Sequence, residues 1–211
     1  MLLDNIDINK KNPFTLTLMN AKGEELAVLN EAFARNLEIN SENTHKLTFT
    51  IPFKISDRFL NTQIKNDYYD LVQVGGIIKL NEDHKFLIID ANDNEGQSDT
   101  KDVTCESLER LLANRFITLN ATDRQLESNS TDSSEGIFDL LNKEISSWSV
   151  GYIDSNAKSE IINGGSTLKY RFFDKFRKSV YEFLNSDIQS AFNLHIEYDT
   201  MQKQYKLFDK A

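Results

Sequence analysis

Residues 120–135, NATDRQLESNSTDSSE, are nearly free of apolar side chains. A continuous hydrophobic core cannot run through a segment of that composition, so the chain is expected to build one core before it and another after it. The pattern of apolar residues also changes across it. Upstream it follows period two, the repeat of a strand. Downstream it turns largely to the 3–4 spacing of an amphipathic helix.

In the first half, Phe14 to Leu18 alternates, Asn20-Ala-Lys-Gly23 is a turn, and Glu25 to Leu29 returns as a second strand. Ala34 to Ile39 is a third strand. His45 to Phe53 alternates cleanly, with Leu47, Phe49 and Ile51 facing one way and Pro52 marking its end or a sheet edge. Residues 56–66 are ambiguous, with one helical turn burying Phe59, Leu60 and Ile64 as one reading. Tyr68 to Val74 and Ile77 to Leu80 follow, separated by Gly75-Gly76, and Lys85 to Asp90 is a strong strand. Residues 90–102 are polar and acidic and read as a long hairpin loop. Val103 to Cys105 resumes a strand, a short helix lies near 107–114, and Phe116 to Leu119 is another strand.

In the second half, Asp132-Ser-Ser-Glu135 has capping-box spacing ahead of a helix carrying Ile137, Leu140, Leu141 and Ile145 on one face. Trp148 to Ile153 and Leu168 to Phe173 read as strands, with a turn at Asn163-Gly164-Gly165. Ser179-Val-Tyr-Glu182 is a second capping box, before a helix with Val180, Phe183, Leu184, Ile188 and Ala191 as its apolar face. A hairpin of Leu194 to Tyr198 and Gln204 to Phe208 closes the chain. The fold class expected is therefore α+β and β-rich. A barrel-like β domain occupies 1–121, a linker 122–135, and a smaller α+β domain of two helices on a sheet 136–211. The chain stops just after its last strand, as the N-terminal part of a longer protein would.

Composition excludes several classes. The 211 residues carry a net charge of −9 and no basic stripe, which argues against sequence-specific nucleic-acid binding. One cysteine allows neither an internal disulfide nor a cysteine-based zinc site. The N-terminal stretch has no apolar run long enough for a signal peptide, and nothing approaches the roughly 20 apolar residues of a membrane span. Synthesis in the cytosol without an export signal of its own is expected.

No catalytic, cofactor or metal site emerges, and none is assigned. His45, His84 and His195 lie far apart in sequence without metal-ligand spacing. Cys105 has no histidine beside it and reads as a small packed hydrophobe. Asp90-x-Asn92-x-Asn94 starts like a calcium loop. The spacing then fails, with Glu95 in place of the turn glycine and Lys101 in place of the bidentate carboxylate. Gly75-Gly76 and Gly164-Gly165 lack phosphate-loop spacing, and Asn120-Ala-Thr122 and Asn129-Ser-Thr131 match the glycosylation pattern without a secretory context. The run KYRFFDKFRK (169–178) could stack nucleic-acid bases or fill a core, and core or partner contact is the favoured reading.

Several packing strings, in order, carry a resemblance. FTLTLM from Phe14, GEELAVL from Gly23 and HKLTFTIP from His45 resemble the opening of the siphophage tail-tip hub family, the N-terminal region of tail-associated lysins and prophage endopeptidase tail or minor structural proteins. Val103 to Leu112 looks like that family's strand-to-helix step, with Ser107 in place of its common histidine. Trp148-Ser-Val-Gly-Tyr-Ile-Asp154 is similar to its W-x-V-G strand, and the stretches from Ser179 and Leu194 to its following helix and strand. The resemblance implies a baseplate-hub-like fold and a non-enzymatic homotrimer at the virion tail tip. It implies contacts with the distal tail protein, the tape measure protein and receptor-binding or fibre proteins, and DNA met only by passage through the lumen. Two alternatives remain: a fragment of a cell-wall-degrading tail peptidase, or a surface carbohydrate-binding module using Trp148, Tyr152 and Tyr170.

Overall fold

The computed structural model describes residues 14–40, 44–57, 62–94, 96, 99–127, 136–163 and 165–210. The chain divides into two compact units, Met1–Leu108 and Glu109–Ala211. The division falls ahead of the polar stretch, and the physical reason is pairing. Residues 122–124 of the expected linker form a strand of the second unit, and Gln125 and Leu126 behind them are buried. Main-chain ladder bonds need no apolar side chain, so a polar sequence can still be a strand. Residues 128–135, including the first capping box, lie outside the described residues.

The first unit is built from β1 (Leu16–Met19), β2 (Glu25–Val28), β3 (Phe33–Glu38), β4 (Lys46–Pro52), β5 (Lys54–Asp57), β6 (Thr62–Lys65), β7 (Ile77–Leu80), β8 (His84–Asn94) and β9 (Thr100–Ser107). Seven of these make one antiparallel sheet in the order β2-β1-β7-β8-β9-β4-β3. The alternation in β4 is realised: Leu47, Phe49 and Ile51 are buried and face the core with Leu16, Ile78 and Phe86.

The sheet is not closed into a barrel, because β2 and β3 remain as its two edges. Yet those edges are consecutive in the chain, joined by residues 29–32. Seven strands laid flat would put them about 29 Å apart, and a link of that length reaches at most about 17 Å. The sheet must therefore curl, bringing its edges towards each other with no ladder between them.

Three expectations for this unit differ from the structure. Of residues 56–66, Ser56, Asp57 and 62–65 are strand, in the paired β5 and β6, and Ile64 is 41% exposed rather than buried. Phe59 and Leu60 lie outside the described residues. Tyr68 to Val74 is a run of turns, held by Asn66 and Tyr68 carbonyls, not a strand. The acidic loop is shorter than expected, because β8 continues to Asn94 and β9 begins at Thr100. A bulge between Ile88 and Asp90 lets β8 continue. It moves the core side from Phe86 and Ile88 to Ala91, which packs on the core with Tyr69.

A 3-10 helix, Leu108–Asn114, stands at the expected short helix, all but its first residue in the second unit. The strands of this unit are β10 (Phe116–Leu119), β11 (Thr122–Arg124), β12 (Ser149–Ile153), β13 (Ser159–Ile162), β14 (Gly165–Leu168), β15 (Arg171–Phe173), β16 (Phe176–Ser179), β17 (Leu194–Asp199) and β18 (Gln204–Asp209). Its helices are α1 (Ile137–Glu144), the one-turn α2 (Ser155–Lys158) and a continuous helical segment over 180–192. The β10–β16 and β11–β15 pairs follow one register but are two separate two-stranded sheets. β18 pairs antiparallel with β17 and parallel with β12, giving a three-stranded sheet.

Ser179 caps the 180–192 segment as its sequence predicts, its hydroxyl accepting from Glu182 N–H at 3.2 Å. Residues 183–188 then make a π-turn. The extra residue shifts the buried face by one, so Phe192 is buried where the 3.6 repeat pointed to Ala191. Asn193, at φ 56°, ends the segment in the left-handed conformation common after a helix.

Candidate functional site

The pieces of chemistry considered from sequence come out as structural parts. Cys105 is fully buried in β9, with Leu47 and Ile88 as its cross-strand partners, and burial pushes its thiol pKa up. A thiol held protonated in an apolar core is not a nucleophile.

His45 and His84 are brought together, their ring centroids 5.5 Å apart, which their sequence separation does not disclose. His84 also packs on Phe86 at 4.9 Å. The Asn40 N–H donates to His45 Nδ1, and burial lowers the His45 pKa. Ser107 binds only the backbone of His45: its hydroxyl accepts from His45 N–H at 2.9 Å and donates to His45 O at 3.2 Å. The group fastens the end of β9 to the start of β4. His195 is separate, on β17, at 3.7 Å from Glu197.

Asp90, Asn92 and Asn94 form no loop. They lie along β8 as a polar row: Asn92 donates to Asp90, Asn94 donates to Asp102 at 2.7 Å, and Thr50 donates to Asp102 at 2.7 Å. The bonds from Thr50 and Asn94 hold the Asp102 pKa below its usual value. Lys101 points inward, donating to the carbonyls of Tyr69 and Val72 with its ammonium 4.4 Å from the Tyr69 ring centre. It therefore holds the 66–73 turns. Among the described residues, no group of three or more His, Cys, Asp or Glu is placed to hold a metal ion.

Gly75, at φ 89°, makes the turn expected at Gly75-Gly76, and Gly164 lies outside the described residues. Among the described residues, no helix is long and apolar enough to cross a membrane.

Trp148 is buried, stacked on Tyr205 at 5.6 Å and edge-on to Tyr198 at 6.0 Å. This removes it from any sugar platform, and Tyr152 instead packs on Phe208 at 5.4 Å. The W-x-V-G string has a local reason. β12 carries a bulge between Val150 and Tyr152, and a Cβ on Gly151 would sit 2.4 Å from Gln204 Oε1. Asp154 ends the string by capping α2, accepting from Asn156 N–H at 3.0 Å.

The run 169–178 forms β15, β16 and their connection. Phe173 is buried and Phe176 packs against the core, as the favoured reading has it. Arg171 pairs with Glu160 at 2.9 Å and Lys178 with Asp187 at 3.0 Å. Phe172 on β15 remains 62% exposed, and Phe116 on β10, the partner of β16, 57%. Arg177 lies over the Phe116 ring at 5.6 Å. With Arg171 and Lys178 paired, few cations remain for a phosphate-tracking groove.

Arg35 does something the sequence did not signal. Ala34, at φ 49°, sits in a bulge between Phe33 and Asn36. The Arg35 guanidinium donates to the carbonyls of Phe14 (2.6 Å), Leu29 (2.9 Å), Asn30 (3.1 Å) and Ala32 (2.9 Å). One side chain thus ties β3 to the chain entering β1 and leaving β2, across the unpaired edges.

The fold is that of phage tail proteins. A prophage tail protein, gp18, from Listeria monocytogenes matches over 92% of this chain and 50% of its own, with TM-score 0.58 at 8% identity. A tail protein from Neisseria meningitidis matches over 92% and 50%, with TM-score 0.54 at 9% identity. The 43 kDa tail protein of prophage MuSo2 from Shewanella oneidensis matches over 94% and 55%, with TM-score 0.53 at 12% identity. The chain thus spans about half the length of the tail proteins whose fold it shares. Residues 18–105, most of the first unit, match the YOMG N-terminal domain family. No curated protein matches the sequence.

Proposed function

We propose that the chain is a structural component of a phage or prophage tail tip. In this reading it forms part of the trimeric hub that closes the tail tube and docks on the distal tail protein. It also contacts the tape measure protein and connects to receptor-binding or lytic modules. The chain is made in the bacterial host cytoplasm, works in the virion, has no catalytic activity of its own and meets DNA only as it passes through the lumen.

The observation that carries the reading is the extent of the likeness, 92% of the chain against a prophage tail protein, which takes in both units. The residues that distinguish the sequence also support it: Trp148, Gly151, Ser107 and Cys105 all serve packing or backbone fastening. The test is to induce particles from the source strain, purify them on a density gradient and ask where the chain travels. It is expected to co-purify with intact tails and to leave no clear band in cell-wall zymography. A chain absent from the tails, or one that clears the cell wall, overturns the proposal.

A further inference from the structure

We infer that a notch in the first unit, between Leu29 and Tyr68, receives Ile161 of a second copy of this chain. The inference rests on the tail-hub reading, in which copies stand side by side.

The notch has a volume of about 120 Å³ and is walled by Val28, Leu29, Ile51, Ile55 and Tyr68. Val28 and Tyr68, 42% and 40% exposed, form its mouth, over the buried Leu29 and Ile51. Two polar fastenings hold the walls. On one side the Arg35 guanidinium donates to the Leu29 and Asn30 carbonyls. On the other, the Asn66 N–H donates to the Phe53 carbonyl, its Nδ2 donates to the Pro52 carbonyl, and its Oδ1 accepts from Tyr68 N–H at 3.1 Å. A side chain entering the notch therefore meets a preformed site and has little of it to order. A cavity of about 150 Å³ holds benzene, so this one suits a branched side chain of about four carbons. Glu31 is exposed on the rim, and the chain has a net charge of −9, so the occupant must bring no unpaired acid with it.

Ile161 meets these conditions. It is 80% exposed, more than any other large apolar side chain among the described residues. Alternation puts Ser159 and Ile161 on one face of β13, with Leu168 and Ser166 of β14 directly opposite them. That face carries no charge. Glu160, the one charged residue of the two strands, lies on the other face and is taken up by Arg171 at 2.9 Å. Among the described residues β13 and β14 pair only with each other. A two-stranded pair is marginal in water until one face packs on something, and a large aliphatic left in water marks the face that does. The notch and Ile161 lie in different units, so the contact between copies is head-to-tail, the kind that builds rings.

Sedimentation velocity over rising protein concentration, at low and at high salt, tests this. The expected result is association that rises with concentration and survives high salt, because an apolar contact is not screened and the repulsion between acidic copies is. The single variants Ile161→Glu and Val28→Glu should each be monomeric with an unchanged circular dichroism spectrum, since both side chains are exposed. Mixing the two variants should restore dimers and nothing larger. The intact notch of one then meets the intact Ile161 of the other, while the second contact would set two glutamates together. A wild-type chain that stays monomeric throughout overturns the inference, as does association indifferent to either substitution. Two monomeric variants that fail to associate on mixing also overturn it. None of these results bears on whether the chain travels with tails, so the two proposals fail separately.

Discussion

Arg35 Nη1 donates to the carbonyl of Phe14 at 2.6 Å, joining the strand at one edge of the seven-stranded sheet to the chain entering β1. The same guanidinium reaches Leu29 and Asn30 just beyond β2. It takes the place of the ladder that β2 and β3 do not form. Replacing Arg35 by Met should cost about 1.5–3 kcal/mol, the range for hydrogen bonds to a charged group. Lysine should restore only part, because an ammonium lacks the planar fork that spans several carbonyls. Hydrogen exchange would show the loss first in β1, β2 and β3.

Acidification should weaken the first unit through His45. Burial lowers its pKa, so the folded state favours the neutral ring more than the unfolded chain does. Stability is then complete above the unfolded value of about 6.5 and falls as pH drops from there towards the lowered folded value. A denaturant midpoint for the first unit should be lower at pH 5.5 than at pH 7.5, taking those as values about one unit either side of that pKa. The difference should shrink in His45→Gln. An unchanged difference in that variant would assign the effect to other groups.

Gly151→Ala should destabilise the second unit by about 1–3 kcal/mol, the usual cost of overpacking. The new Cβ would sit 2.4 Å from Gln204 Oε1 and 3.0 Å from Gln204 Cβ, so the glutamine has to move. Shortening that side chain in Gly151→Ala/Gln204→Ala should recover part of the loss. A double-mutant cycle in chemical denaturation reads the coupling directly.

Trp148 emission should be blue-shifted and should not respond to host cell-wall polysaccharide, since the ring is stacked on Tyr205 and only 4% exposed. Trp148→Ala should cost about 3–5 kcal/mol, as large aromatic truncations in a core do. A saturable polysaccharide-induced shift would return the binding-module reading.

Periodicity made the core strands legible. Leu47, Phe49 and Ile51 face inward because alternation in a half-buried strand leaves them no other place. Ser179 was legible as a cap, because its chemistry lies within one turn of the residue it serves. What escaped depended on events that side-chain pattern does not encode. The bulge at Ile88–Asp90 carried β8 through residues that look like loop, and the π-turn moved burial from Ala191 to Phe192. β11 formed from polar residues because only its backbone is needed for the ladder. The Arg35 clamp and the His45–His84 pair join positions far apart in sequence, which only the folded topology brings within reach.

The most direct test of the central claim, a structural role at the tail tip, is gold-labelled antibody microscopy on particles induced from the source strain. The antibody should first be shown to bind exposed epitopes of the folded chain. The account predicts gold at the distal end of the tail, below the tube. Intact tails with gold elsewhere, or with none at the tip, would contradict it and leave the likeness to tail proteins as one of fold alone.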